Sequence, residues 1–81
     1  MNELALKAVS VIESYKSNKI IMDFVTTEAR EKVASEIRVK QGGGTTAKAV
    51  ALLELRYSNI KARVDEYINV GLVGCYMASL K

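Results

Sequence analysis

The chain has 81 residues, almost half of them apolar, with no proline, no histidine, one cysteine and a formal net charge of +3. That length allows one small domain whose own core is barely sufficient, so self-association would help stabilise it. The apolar content excludes a disordered chain, and the absence of proline with few aromatics favours helices over a turn-rich β-sandwich.

Without histidine there is no His-based triad, no His metal ligand and no ordinary general base near neutral pH. The acids are spread along the chain rather than paired. No enzymatic activity, cofactor or metal site is therefore expected. Cys75 has no partner for an internal disulfide, no apolar run is long enough to span a membrane, and the opening MNELALK lacks the apolar stretch of a signal peptide. The expected setting is cytoplasmic.

Leu4, Ala5, Ala8, Val9, Ile12 and Tyr15 recur at helical spacing, with Asn2 as a candidate N-cap and Ser17-Asn18-Lys19 as the stop. This predicts a first helix from about Glu3 to Lys16, its apolar stripe buried in part against a second copy of the chain. Residues 20–26, IIMDFVT, read as a short helix or extended connector. Thr26 or Thr27 then caps a clear helix over 27–41, with Glu28 and Glu31 in its first turn, where the macrodipole favours acids. Glu28, Lys32, Glu36 and Lys40 form an i, i+4 ladder of alternating sign, read as a solvated face, opposite an apolar stripe of Ala29, Val33, Ala34 and Ile37.

Gly42-Gly43-Gly44 ends that helix. A glycine-rich phosphate loop would need a preceding strand and a Lys-Ser/Thr at the next helix start, which GGGTTAK does not supply. Thr45 or Thr46 caps a short, nearly all-apolar helix over Ala47 to Leu53. After a break at Glu54-Leu55-Arg56, the stretch from Tyr57 to Val70 places Ile60, Val64, Tyr67 and Ile68 on one helical face. From Leu55 to Val64 there are three bases, Arg56, Lys61 and Arg63, and no acid. Gly71 reads as the C-cap of this helix and Leu72-Val73 as a strand start, with residues 72–80 forming a short strand, a terminal helix turn or a dimer contact. Cys75 reads as a small apolar residue.

The segment from Ala47 to Val64 resembles the helix-turn-helix DNA-binding superfamily, with Ala29 to Val64 as its three-helix core. Small phage and plasmid repressors and regulators of fimbrial operons are the nearest likeness, and region four of bacterial sigma factors a more distant one. A Gly-containing loop, an alanine-rich helix and a second helix opening with Tyr57-Ser58-Asn59 follow the superfamily's order, with buried positions at Ala49, Leu53, Leu55 and Ile60. Two positions depart from it. The turn ordinarily opens with glycine at positive φ and here has Glu54, and the close-packed alanine of the first helix is Val50.

The resemblance implies an all-α fold: a three-helix helix-turn-helix core over 26–71, an added N-terminal helix and connector over 1–25, and a tail over 72–81. It implies a sequence-specific transcriptional regulator that binds double-stranded DNA as a homodimer. Arg56, Lys48 and the backbone amides of Thr45 and Thr46 would hold phosphates. Tyr57, Ser58, Lys61 and Ala62 would face the major groove, Asn59 and Arg63 its margins, with Lys61 placed opposite Val64. The alternative is a small helical protein-binding module, of the kind phages use to inhibit a host complex. An exposed apolar patch would favour that reading.

Overall fold

The computed structural model describes residues 3–81, and these fold into four α-helices with no strand: α1 (Glu3–Lys16), α2 (Lys19–Gln41), α3 (Ala47–Glu54) and α4 (Ser58–Ser79). The expected first helix has the expected ends. The proposed cap at Asn2 and the side chain of Leu4 lie outside the described residues. Ala8, Val11, Ile12 and Tyr15 are half-buried, whereas Ala5 and Val9 face outward, so the inward stripe is shifted from the one expected.

The connector expected at 20–26 does not exist as a separate element. Asn18 caps a single 23-residue helix, its Oδ1 accepting from the Ile21 N–H at 3.1 Å, and neither Thr26 nor Thr27 is a cap. The bulky residues of this stretch cost a few tenths of a kcal/mol each in helix propensity. A cap worth about 1 kcal/mol and the tertiary burial of Val25, with Ile21 and Met22 half-covered, outweigh that cost. Gly42 ends α2 at φ 75°, its N–H donating to the Arg38 carbonyl at 2.8 Å, and Gly43 follows at φ 80°. Both positions call for glycine, because other side chains rarely adopt positive φ.

Thr46 caps α3, its Oγ1 accepting from the Ala49 N–H at 3.2 Å. The α3–α4 joint is as tight as expected, but its chemistry differs from the resemblance. Glu54 is the last helical residue, Leu55 keeps a helical conformation, and no non-glycine residue has positive φ among the described residues. Hydrogen bonds from the Leu55 N–H to the Leu52 carbonyl, and from Arg56 and Tyr57 to that of Leu53, wind the chain tightly off the end of α3. Leu55, expected inside, is 84% exposed. Tyr57 is not helical but stands extended as the N-cap of α4, with no side-chain cap bond.

Helix α4 does not stop at Gly71. It runs on to Ser79, which removes the expected C-cap and, of the alternatives for 72–80, excludes the strand and makes the tail helical. Gly71 serves packing instead. A Cβ there would lie 3.3 Å from Cβ and Cγ1 of Val25, so its bare backbone lets α4 approach α2 closely. That contact and the Arg63–Glu36 ion pair show α4 running antiparallel to α2.

The core is built around α2. Ala29, Val33 and Ala34 of α2, Val50 of α3 and Val64 of α4 are fully buried together, with Ile37, Ile60, Tyr67 and Ile68 packed around them. Val25 and Leu72 are buried farther along, where α1 packs on α2 and α4 but not on α3. The molecule measures 46 × 25 × 24 Å with a radius of gyration of 14.5 Å, against about 12 Å for a compact domain of this length. It therefore has two poles: one formed by α3 with the adjoining ends of α2 and α4, the other by α1 with their opposite ends.

Candidate nucleic-acid interface

The segment that builds the α3 pole is rich in bases. Between residues 37 and 64 lie six bases, Arg38, Lys40, Lys48, Arg56, Lys61 and Arg63, and one acid, Glu54. This segment carries +5 of a chain whose total is +3, so the remainder is slightly acidic. The antiparallel fold brings the end of α2, all of α3 and the start of α4 to the same pole. The Arg38 Nη1 donates to the Thr45 carbonyl at 2.6 Å, pinning the glycine loop while leaving the guanidinium charge in place.

The one acid of the segment is neutralised inside the fold. Glu54 Oε2 accepts from Arg30 Nε at 2.7 Å, with the glutamate side chain only 12% exposed. Lys40, Lys48 and Arg56 enter no ion pair among the described residues, and all three are exposed. The uncapped start of α4 adds the positive end of its macrodipole to the same pole.

The expected contact residues divide into two groups. Thr46, Lys48, Arg56, Tyr57, Ser58, Asn59 and Ala62 are exposed on this pole, and Thr45 is half-exposed in the loop. Lys61 is exposed but sits within 3.3 Å of Asp65 Oδ2. It is not opposite Val64: three helical residues lie roughly 60° apart around the axis, so Lys61 flanks the buried stripe. An exposed i, i+4 pair of this kind is worth little and yields readily to a stronger anion.

Arg63 is not at the margin of a free groove. Its Nε donates to Glu36 Oε1 at 3.0 Å, Nη1 to Glu66 Oε2 at 2.7 Å and Nη2 to the Tyr67 oxygen at 3.1 Å. The Tyr67 hydroxyl in turn donates to Glu36 Oε1 at 2.9 Å, and the guanidinium stacks 4.7 Å from the ring centroid. The bond from Arg63 holds the Glu36 carboxyl below its ordinary value, and the two carboxylates raise Arg63. Hydrogen bonding to Glu36 pushes the Tyr67 phenol up. The solvated ladder expected on α2 is thus interrupted. Glu36 faces α4, and Lys32 lies 5.5 Å from the Tyr67 ring centroid.

Arg38 and Lys40 belong to the basic pole and were not among the expected contacts. Their signal in the sequence is a pair of bases just before the glycine loop, which becomes part of a cluster only when α2 returns to the start of α4. Compared with known proteins, the chain matches no family model, no curated sequence and no solved structure. No helix among the described residues is long and apolar enough to cross a membrane.

Proposed function

We propose that this protein binds double-stranded DNA through its α3 pole, as a regulator of the helix-turn-helix kind. The observation that supports the reading best is the excess of bases between residues 37 and 64 at one end of an elongated molecule, where Lys40, Lys48 and Arg56 stand exposed and outside any ion pair among the described residues. Such a pole releases counterions from a phosphate backbone, the main source of sequence-independent affinity. Lys48 and Arg56 hold phosphates on either side of α3. The start of α4 offers Tyr57, Ser58, Asn59 and Ala62 to the major groove, and Lys61 exchanges Asp65 for a base edge. Arg63 stays bonded within the fold and positions α4 rather than reading DNA.

The test is a fluorescence anisotropy titration of purified protein on duplexes selected from a random pool and on scrambled controls, across a range of salt. Binding should weaken steeply with salt. Arg56→Ala should weaken all duplexes alike and lower the slope of log K against log salt by about 1. Lys61→Ala should cost on the order of 1–3 kcal/mol at one base position only. Absence of binding to any duplex at low salt overturns the reading. Identical behaviour of the two variants on every duplex removes base reading by this helix.

A second reading has its own support. Leu52, Leu55 and Val39 are large, apolar and well exposed on or near the same pole. A protein-binding module would use these beside Lys48 and Arg56 to hold an acidic, partly apolar partner. Leu52→Ser with Leu55→Ser should leave DNA affinity unchanged under the first reading and abolish partner binding under the second.

A further inference from the structure

The C-terminal half of α4 lies at the other pole and has an unusual composition. From Tyr67 to Leu80 there is not one charged residue. A helix free of charge on every side is ordinarily covered on every side, yet here only one side is covered. Leu72 is buried and Ile68, Cys75 and Tyr76 are half-buried against the fold. On the outer side Val70, Val73, Met77 and Leu80 are 59%, 45%, 60% and 67% exposed. Their spacing of three, four and three residues is that of alternating a and d positions in a coiled-coil seam.

The two glycines of this half-helix separate the inner face from the outer one. Gly71 is explained within the chain by Val25. Gly74 lies beside the outer stripe and a Cβ there would meet nothing within 4 Å. A glycine inside an exposed helix is destabilising by about 1 kcal/mol relative to alanine, and packing within one chain gives no reason for it.

We propose that this stripe is the interface through which two copies of the chain pair, α4 against α4 and antiparallel. Antiparallel seams alternate a against d, so Val70 of one copy meets Leu80 of the other and Val73 meets Met77. The same stripe is then its own complement, as a two-fold interface requires. Gly74 lies next to the axis, where the absence of side chains lets the helices approach. Charge selects the direction. In this register Lys81 of one copy lies about one helical turn from Glu66 of the other at both ends of the seam, where Glu66 shares its carboxylate with Arg63 of its own chain, whereas a parallel pair sets each beside its own like charge.

Further apolar surface stands at the same pole. Leu6 and Val9 of α1 and Ile20 and Phe24 of α2 are more than half exposed and belong to the same pole. The four seam residues, at on the order of 100 Å² each, offer about 400 Å² per copy, and a standard interface of about 800 Å² per copy is reached if these four neighbours join it. The seam stands whether or not the α3 pole meets DNA. Of the two dimer contacts the sequence offered, the α1 stripe and residues 72–80, the seam takes the second, and the α3 poles are left at the two far ends.

Sedimentation equilibrium of the full chain over a range from low to high micromolar decides the matter. The wild type should show a mass rising with concentration from 8.9 kDa to twice that value. Met77→Asp should raise the dissociation constant on the order of 100-fold or more, because each copy would bury a carboxylate against the seam. Val73→Lys is a second variant of opposite charge with the same expected result. Leu55→Asp, at an exposed leucine on the other pole, should leave the constant unchanged. Circular dichroism checks that each variant is helical. Lys81→Glu should weaken the dimer several-fold, and the exchange of Glu66→Lys with Lys81→Glu should recover it.

A folded wild type that stays monomeric at high micromolar concentration overturns the proposal, as does a dimer indifferent to both seam variants. A dimer disrupted by Met77→Asp but indifferent to Lys81→Glu overturns the antiparallel direction. Dimerisation without DNA binding defeats only the function proposed for the α3 pole, and DNA binding by a monomer defeats only the seam.

Discussion

At the α3 pole three helices converge on five fully buried side chains, and ion pairs join helices distant in sequence: Arg30 to Glu54, and Arg63 to Glu36. At the α1 pole only Val25 and Leu72 are fully buried, no described side chain of α1 is, and each of the three helices leaves large apolar residues exposed, among them Leu6, Phe24 and Met77. The first pole is closed upon itself and presents charge beside the exposed Val39, Leu52 and Leu55. The second has surplus apolar surface and, along α4, no charge. A small chain that cannot bury all of its apolar surface can place the remainder in one patch, where association hides it. Keeping the basic surface and the charge-free helix at opposite ends is what the DNA contact proposed for one pole and the self-pairing proposed for the other both require.

The contrast can be broken most forcefully at Leu72, the largest fully buried side chain. Leu72→Ala should destabilise the protein by about 2–5 kcal/mol in urea denaturation. Hydrogen exchange should rise first in α1, which depends on this pole, before it rises in α3. Equal loss of protection in all four helices would mean that the two poles unfold as one unit.

Arg30→Ala acts on the other pole. It leaves the Glu54 carboxylate largely shielded from water and without its partner, at a cost of about 1–2 kcal/mol given the partial exposure of the pair. Arg30→Lys should recover part of that loss, since a point charge replaces one geometry of the guanidinium.

The paired glycines sharpen the comparison within one helix. At protein concentrations low enough to keep the chain monomeric, Gly74→Ala should stabilise it by about 0.5–1 kcal/mol through helix propensity alone. Gly71→Ala should gain less or lose, because its new methyl meets Val25 at 3.3 Å. Equal gains at both positions would show that α2 and α4 yield freely at their crossing.

The smallest effect is expected at the waist. Glu36 is held below its ordinary value of 4.5 first by its hydrogen bond from Arg63. A lowered folded value means that the stabilisation is present above the unfolded value and disappears as pH falls through the folded one. The stability difference between wild type and Glu36→Gln should therefore be constant near neutral pH and shrink in the acid range below 4.5. Tyr67 works in the reverse sense. Its value is raised above 10.0 first by donating to Glu36, so its contribution is present below that pH and is lost as the phenol ionises in stronger alkali. A difference independent of acid pH would mean that Glu36 is not paired in solution.

Local chemistry in the sequence was enough to establish an all-helical chain and several of its boundaries. The first helix, the glycine stop at Gly42, the cap at Thr46 and the break after α3 are set by short-range rules: a hydroxyl reaching an N–H three residues on, a glycine accepting positive φ, an apolar period of one helical turn. The basic run at Arg56, Lys61 and Arg63 was visible as well. What required the tertiary structure was which neighbour lies across each face. Residues 20–26 became helical because burial against α1 and α4 outweighs their weak propensity. Gly71 does not stop α4 but continues it, with its bare backbone packed against Val25 of α2. Arg63 was taken from the basic face by a glutamate 27 positions away, and Leu55 was left outside because the chain winds off α3 without a left-handed residue. Periodicity determines which side chains share a face. Only the three-dimensional arrangement decides whether that face meets the core, a counter-charge or water, because those partners come from residues remote in the chain.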